Sequence, residues 1–175
     1  CLGVIEDCLA EAVRYAKEYA RADSLSLTSR IGYSTCVESL LTVARARHDE
    51  DLELVALALH SGILAYSRND LAGGFAEAET VLPRARAARD TLLWCIALRT
   101  VGFVQLVQQH YPESRANYGR MLALTRAARL SAMEGYALLG VGYLELQDGH
   151  TAAAERDYRR SIRLLTARGD RMAAR

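Results

Sequence analysis

Four histidines are the first residues to test for chemistry: His48, His60, His110 and His150. Metal ligands converge to within about 4 Å of one another, and a catalytic base needs a nucleophile in hydrogen-bond reach. His110 and His150 occupy the same place in two successive 40-residue segments, so they stand a whole segment apart. No His-Glu-x-x-His, Gly-x-Ser-x-Gly or phosphate-loop pattern occurs. Cys1, Cys8, Cys36 and Cys95 follow neither a Cys-x-x-Cys motif nor a disulfide framework, and each reads as a small apolar residue. Near the C-terminus stands Arg168-Gly169-Asp170, the tripeptide of integrin ligands. That role needs an exposed loop tip in a secreted protein. The expectation from these residues is no metal, no cofactor and no catalytic centre.

Composition says what positions them. The chain has 175 residues, 51% hydrophobic and 25% charged, with only 2 prolines. Ala, Leu, Arg and Glu dominate, all strong helix formers, and runs alternating with period two are missing. The reading is all-α. The 22 basic and 21 acidic residues are interleaved and leave a net charge of +1, which argues against a large phosphate-binding face. Lys17 is the only lysine, an arginine bias typical of GC-rich bacterial genomes. No apolar run reaches the ~18 residues of a membrane span, and no signal peptide is seen, so the expected place is the cytoplasm. The chain starts at Cys1 and reads as part of a longer protein.

The strongest signal is internal repetition. Residues 91–130 align with 131–170 without a gap, matching Ala97 to Ala137, Val101 to Val141, Gly102 to Gly142 and Tyr118 to Tyr158. Another step back places Gly62 before Gly102 and Arg86-Ala87-Ala88-Arg89 before Arg126-Ala127-Ala128-Arg129. A period of this length means a repeat protein. Each unit, 51–90, 91–130 and 131–170, reads as a helix A and a helix B. In the third unit helix A spans about 132–147, Gly149 takes a left-handed turn, and Thr151 caps a helix B running to about 168. Pro112 suits the first helical position of its helix; Pro83 should kink its own. Arg168-Gly169-Asp170 then falls at a joint between repeats, where Gly169 ends one helix and Asp170 caps the next.

Glycines 62, 102 and 142 should let helix A lie close to helix B, where Gly74, Ser114 and Ala154 receive it. Tyr118 and Tyr158 follow one turn on and should pack into the next unit; Ala78 stands at that place in the first unit. This pattern resembles the tetratricopeptide (TPR) repeat over about residues 51–170, although the period is longer than the usual one. HEAT-like helical repeats remain an alternative. The resemblance implies a TPR-like α-solenoid of antiparallel helix pairs, forming one domain over 1–175 with degenerate helices in 1–50. There, Val4–Asp23 reads as a helix B. The stretch 24–50 fits a shortened pair, one long helix, or a segment with residues missing.

In TPR arrays the inner face of helix A lines a groove. Those positions are Ala56, Leu59, Ile63 and Tyr66 in the first unit, and Ile96, Arg99, Phe103 and Leu106 in the second. In the third they are Tyr136, Leu139, Tyr143, Leu146 and Gln147. A bland alternative is that other helices or another chain simply cover them. The chaperone-tail clamp of some TPR domains is not matched, because the repeats contain no lysine. Units ending in "RLLTARGD" also resemble the helical regions of large bacterial LuxR-type and antibiotic-pathway transcription regulators. That likeness implies a non-catalytic regulatory module that receives a protein, peptide or small effector and supports self-association, with no nucleic-acid or membrane contact of its own. A free-standing adaptor that assembles proteins is the second reading, and a helical enzyme the third.

Overall fold

A computed structural model describes residues 27–166 of the chain. Within them the protein is all-helical: α1 Leu27–Arg47, α2 Glu50–Gly62, α3 Leu71–Ala87, α4 Thr91–Val107, α5 Tyr111–Ala127, α6 Ser131–Gln147 and α7 Thr151–Thr166. A π-helical turn, Ile63–Ser67, prolongs α2. The expected helix over Val4–Asp23 and the Arg168-Gly169-Asp170 joint lie outside the described residues. Of the three readings of 24–50, the one with a single long helix matches α1.

Short links set the architecture. Among the described residues, those with positive φ are His48, Asn69, Arg89, Gln109, Arg129 and Gly149. Each follows a helix end, and from Asn69 onward each stands 20 residues after the last. The residue after each turn donates its N–H back into the helix it has left, as Asp90 does to Ala85 O and His150 to Glu145 O. This is the Schellman arrangement, which satisfies carbonyls that a helix end would otherwise leave open. The same residue begins the next helix. Asp49, Asp70 and Asp90 cap theirs by accepting from the N–H groups of Leu52, Gly73 and Leu93, each cap contributing about 1 kcal/mol. Only Gly149 among the turn residues is a glycine, as expected. Thr151, expected to cap α7, is instead its first residue, and His150 takes the capping place. Pro112 stands second in α5 rather than first, and α3 is helical across Pro83.

Between His48 and Asn69 the interval is one residue longer than the others. The π turn absorbs that residue: Arg68 donates to Ile63 O, and Asp70 reaches back to Leu64 O, one residue further than its counterparts. The gapless alignment of Gly62 with Gly102 is therefore corrected. Ser61 occupies the place of Gly102: its carbonyl faces Gly74, as the Gly102 carbonyl accepts from Ser114 Oγ at 2.7 Å. A second set of contacts agrees. Arg45 Nε meets Glu53 at 3.1 Å, and Arg126 Nε meets Glu134 at 3.1 Å. At the same place in the middle unit, Arg86 lies over the Trp94 ring at 5.8 Å, so a cation–π contact replaces an ion pair.

Each helix packs on its neighbours in sequence; in addition α2 touches α4, and α4 touches α6. Helices α2, α4 and α6 thus form a contiguous layer with α3, α5 and α7 against it. The core runs through both, with Leu57, Leu98, Val101, Met121, Met133, Leu138 and Leu144 buried. Close approach is bought by missing side chains. A Cβ on Gly102 would stand 3.1 Å from the Tyr118 ring, and one on Gly142 would stand 2.9 Å from Tyr158. Gly140 also abuts Tyr118, so that ring is clamped between its own unit and the next.

Candidate functional site

Four of the residues expected to line a groove are not available on the surface. Leu59, Ile63 and Ile96 are 4%, 5% and 7% exposed and belong to the core. The shift in α2 explains the first: Leu59 stands where Thr100 stands in α4, on the buried side. Ile63 opens the π turn and is drawn inward with Ala65. Ala56 is fully buried as well. The remaining positions lie at the surface. Tyr66, Tyr143 and Leu146 are 37%, 38% and 45% exposed, Gln147 is exposed, and Arg99, Phe103, Leu106, Tyr136 and Leu139 are half-buried.

The fold brings the central ones together across three successive units. Arg99 projects from the middle of α4, which lies between α2 and α6. Its guanidinium carbon is 4.7 Å from the Tyr66 ring centre and 3.8 Å from that of Tyr136. Tyr66 also meets Phe103, with ring centres 4.5 Å apart and planes tilted by 45°. The Tyr66 ring lies over Gly62, its atoms 3.6 Å from where a Cβ would be, an ordinary contact distance. Tyr118 joins from α5. Burial pushes its phenol well above the ordinary range, the neighbouring Tyr66 adds to this, and Arg99 opposes it. The phenol therefore stays neutral at physiological pH.

This set suits binding. A guanidinium stacked on aromatic rings has its plane held, and a planar guanidinium is the group that matches a carboxylate or phosphate. The exposed ring of Tyr66 offers an apolar face beside it. Val107, 45% exposed at the end of α4, adds to the apolar surface and was missed in the sequence; its place one turn after Phe103 was the available signal.

His60 pairs with Glu77 at 2.8 Å between α2 and α3, and His150 pairs with Glu145 at 2.8 Å. Among the described residues, Glu145, Asp148 and His150 bring ligand-type atoms within 4.8 Å of one another. The Arg115 guanidinium already lies on both carboxylates, 2.9 Å from Glu145 and 2.5 Å from Asp148. A cation there would have to displace a cation.

Comparison with models of known protein families finds no match, and comparison with curated proteins finds none. Among the described residues, no helix is long and apolar enough to cross a membrane.

Proposed function

We propose that the chain is a TPR-like α-solenoid acting as a non-catalytic binding and regulatory module. The layer of α2, α4 and α6 forms its ligand-facing side, and Arg99, Tyr66, Phe103 and Tyr136 its centre, with Tyr143 and Leu146 alongside. The observation that carries this reading is the meeting of Arg99 with tyrosines from both adjoining units. Residues far apart in the chain converge there on a partly exposed face. The ligand is a peptide or small effector with an anionic group and an apolar body. In the likeness to bacterial LuxR-type regulators, such a module controls a transcription factor in the cytoplasm and helps it self-associate.

The test is NMR on the whole chain with the Arg99 Nε–Hε and Tyr136 signals assigned, titrated with short peptides ending in an apolar residue and a free carboxylate. Shifts concentrated on these signals support the reading, and shifts confined to other helices overturn it. The adaptor reading would gain from coding sequence without a DNA-binding helix-turn-helix on either side.

A further inference from the structure

The outward side of α7 departs from the repeat. Arg156, Arg159, Arg160 and Arg163 are all exposed, and their spacing of three, four and seven residues places them on one helical face. That face is opposite the one on which Ala154, Ser161 and Leu165 are buried, and it spans about 10 Å of helix axis. One repeat earlier the same positions hold Ala116, Gly119, Arg120 and Ala123. Two repeats earlier they hold Ala76, Glu79, Thr80 and Pro83. Packing therefore does not demand arginine here. Like charges at these spacings destabilise a helix by a few tenths of a kcal/mol per pair. The helix dipole favours Arg163 in the last turn, but does not reach Arg156 two turns earlier.

We propose that this face docks an acidic helical segment of a partner protein, one presenting carboxylates at matching three- and four-residue spacing. Two of the four arginines already hold carboxylates within the chain: Arg159 meets Glu155 at 2.6 Å, and Arg160 meets Glu134 at 2.7 Å. Among the described residues Arg156 and Arg163 have no such ion pair, and they bracket the stripe. A phosphate backbone fits less well. The stripe is short, Glu155 and Asp157 adjoin it, and the chain as a whole carries only +1. A membrane would require a broad apolar face, and beside the arginines and Ala152 a single large apolar side chain, Ile162, is exposed.

The experiment uses the full chain and a labelled glutamate-rich helical peptide in low salt, read by fluorescence anisotropy. Binding is expected, weakening steeply as salt is raised. The double variant Arg156→Gln, Arg163→Gln should weaken it about fivefold or more with no loss of melting temperature, because both side chains are exposed and their removal relieves like-charge repulsion. Tyr143→Ala, in the proposed groove, should leave it unchanged, which separates this surface from that one. No binding in low salt, or equal binding by the double variant, overturns the proposal. So does tighter binding of an oligothymidylate or of phosphatidylserine vesicles, which would make the stripe a phosphate-binding surface.

Discussion

Tyr118 lies against Gly140 so closely that no side chain fits between them. The ring comes from α5 and the glycine from the next helix, so this contact joins one repeat to the following one. Gly140→Ala should force the ring or α6 to move, and overpacking of this kind costs ~1–3 kcal/mol. Gly119 is the control. It is exposed inside α5, with nothing within 4 Å of a built Cβ. Gly119→Ala should therefore stabilise by ~0.5–1 kcal/mol. Urea melts that ranked the two variants the other way would sink this account of the repeat junction.

The stacking of Arg99 makes a second expectation. Arg99→Ala removes two cation–π contacts, each ~0.5–1 kcal/mol near a surface. Arg99→Lys should restore little, because an ammonium lacks the planar guanidinium that stacks on the rings. Full recovery in the lysine variant would show that charge alone is what matters at this position.

Acid should act through Glu145. Its hydrogen bond from His150, helped by Arg115, holds its pKa below the ordinary value of 4.5. A carboxylate lowered in the folded state contributes stability above its unfolded pKa and loses it as pH falls through the folded one. The difference in melting temperature between parent and Glu145→Gln should be present at neutral pH and be lost as the pH falls below the ordinary carboxylate range. It will be modest, since its partners Arg115 and His150 are 38% and 64% exposed and solvent screens the pairing. A gap that widened on acidification would contradict the assignment.

Cys95 should be inert in the folded protein. Burial pushes its thiol up to about 12, with Asp90 adding to the shift, so almost no thiolate exists near neutrality. Iodoacetamide followed by peptide mass spectrometry should label half-buried Cys36 well before Cys95, and denaturant should remove the difference. Early labelling of Cys95 would mean that α4 opens locally.

The π turn can be removed. Deleting Leu64 should leave α2 as an unbroken α-helix, because the segments on either side keep their own anchors: Glu53 on Arg45 before it and the Asp70 cap after it. The melting temperature should change little, and amide signals should report a regular helix through Tyr66. A chain that failed to fold would show that the extra residue is needed for packing.

Much of this architecture was legible in the chain itself. The boundaries of α4 to α6 follow from a strict 40-residue period, and Gly149 marked its turn because glycine alone adopts a left-handed backbone without cost. The small residues facing Tyr118 and Tyr158 were readable for a similar reason: at such contacts only the absence of a side chain permits close approach. Other features were decided by the tertiary structure. Among the described residues five of the six in left-handed turns are not glycine; they adopt that backbone because packed helices on both sides outweigh the local cost, which no single residue announces. The one-residue shift of α2 was hidden because a gapless alignment keeps Gly62 opposite Gly102, whereas packing keeps Ser61 there and pushes the excess into a π turn. That shift buried Leu59 on the core side. The union of Arg99 with Tyr66 and Tyr136 likewise arises only when three helices are laid side by side, since periodicity places residues on a face and packing alone decides which of them touch.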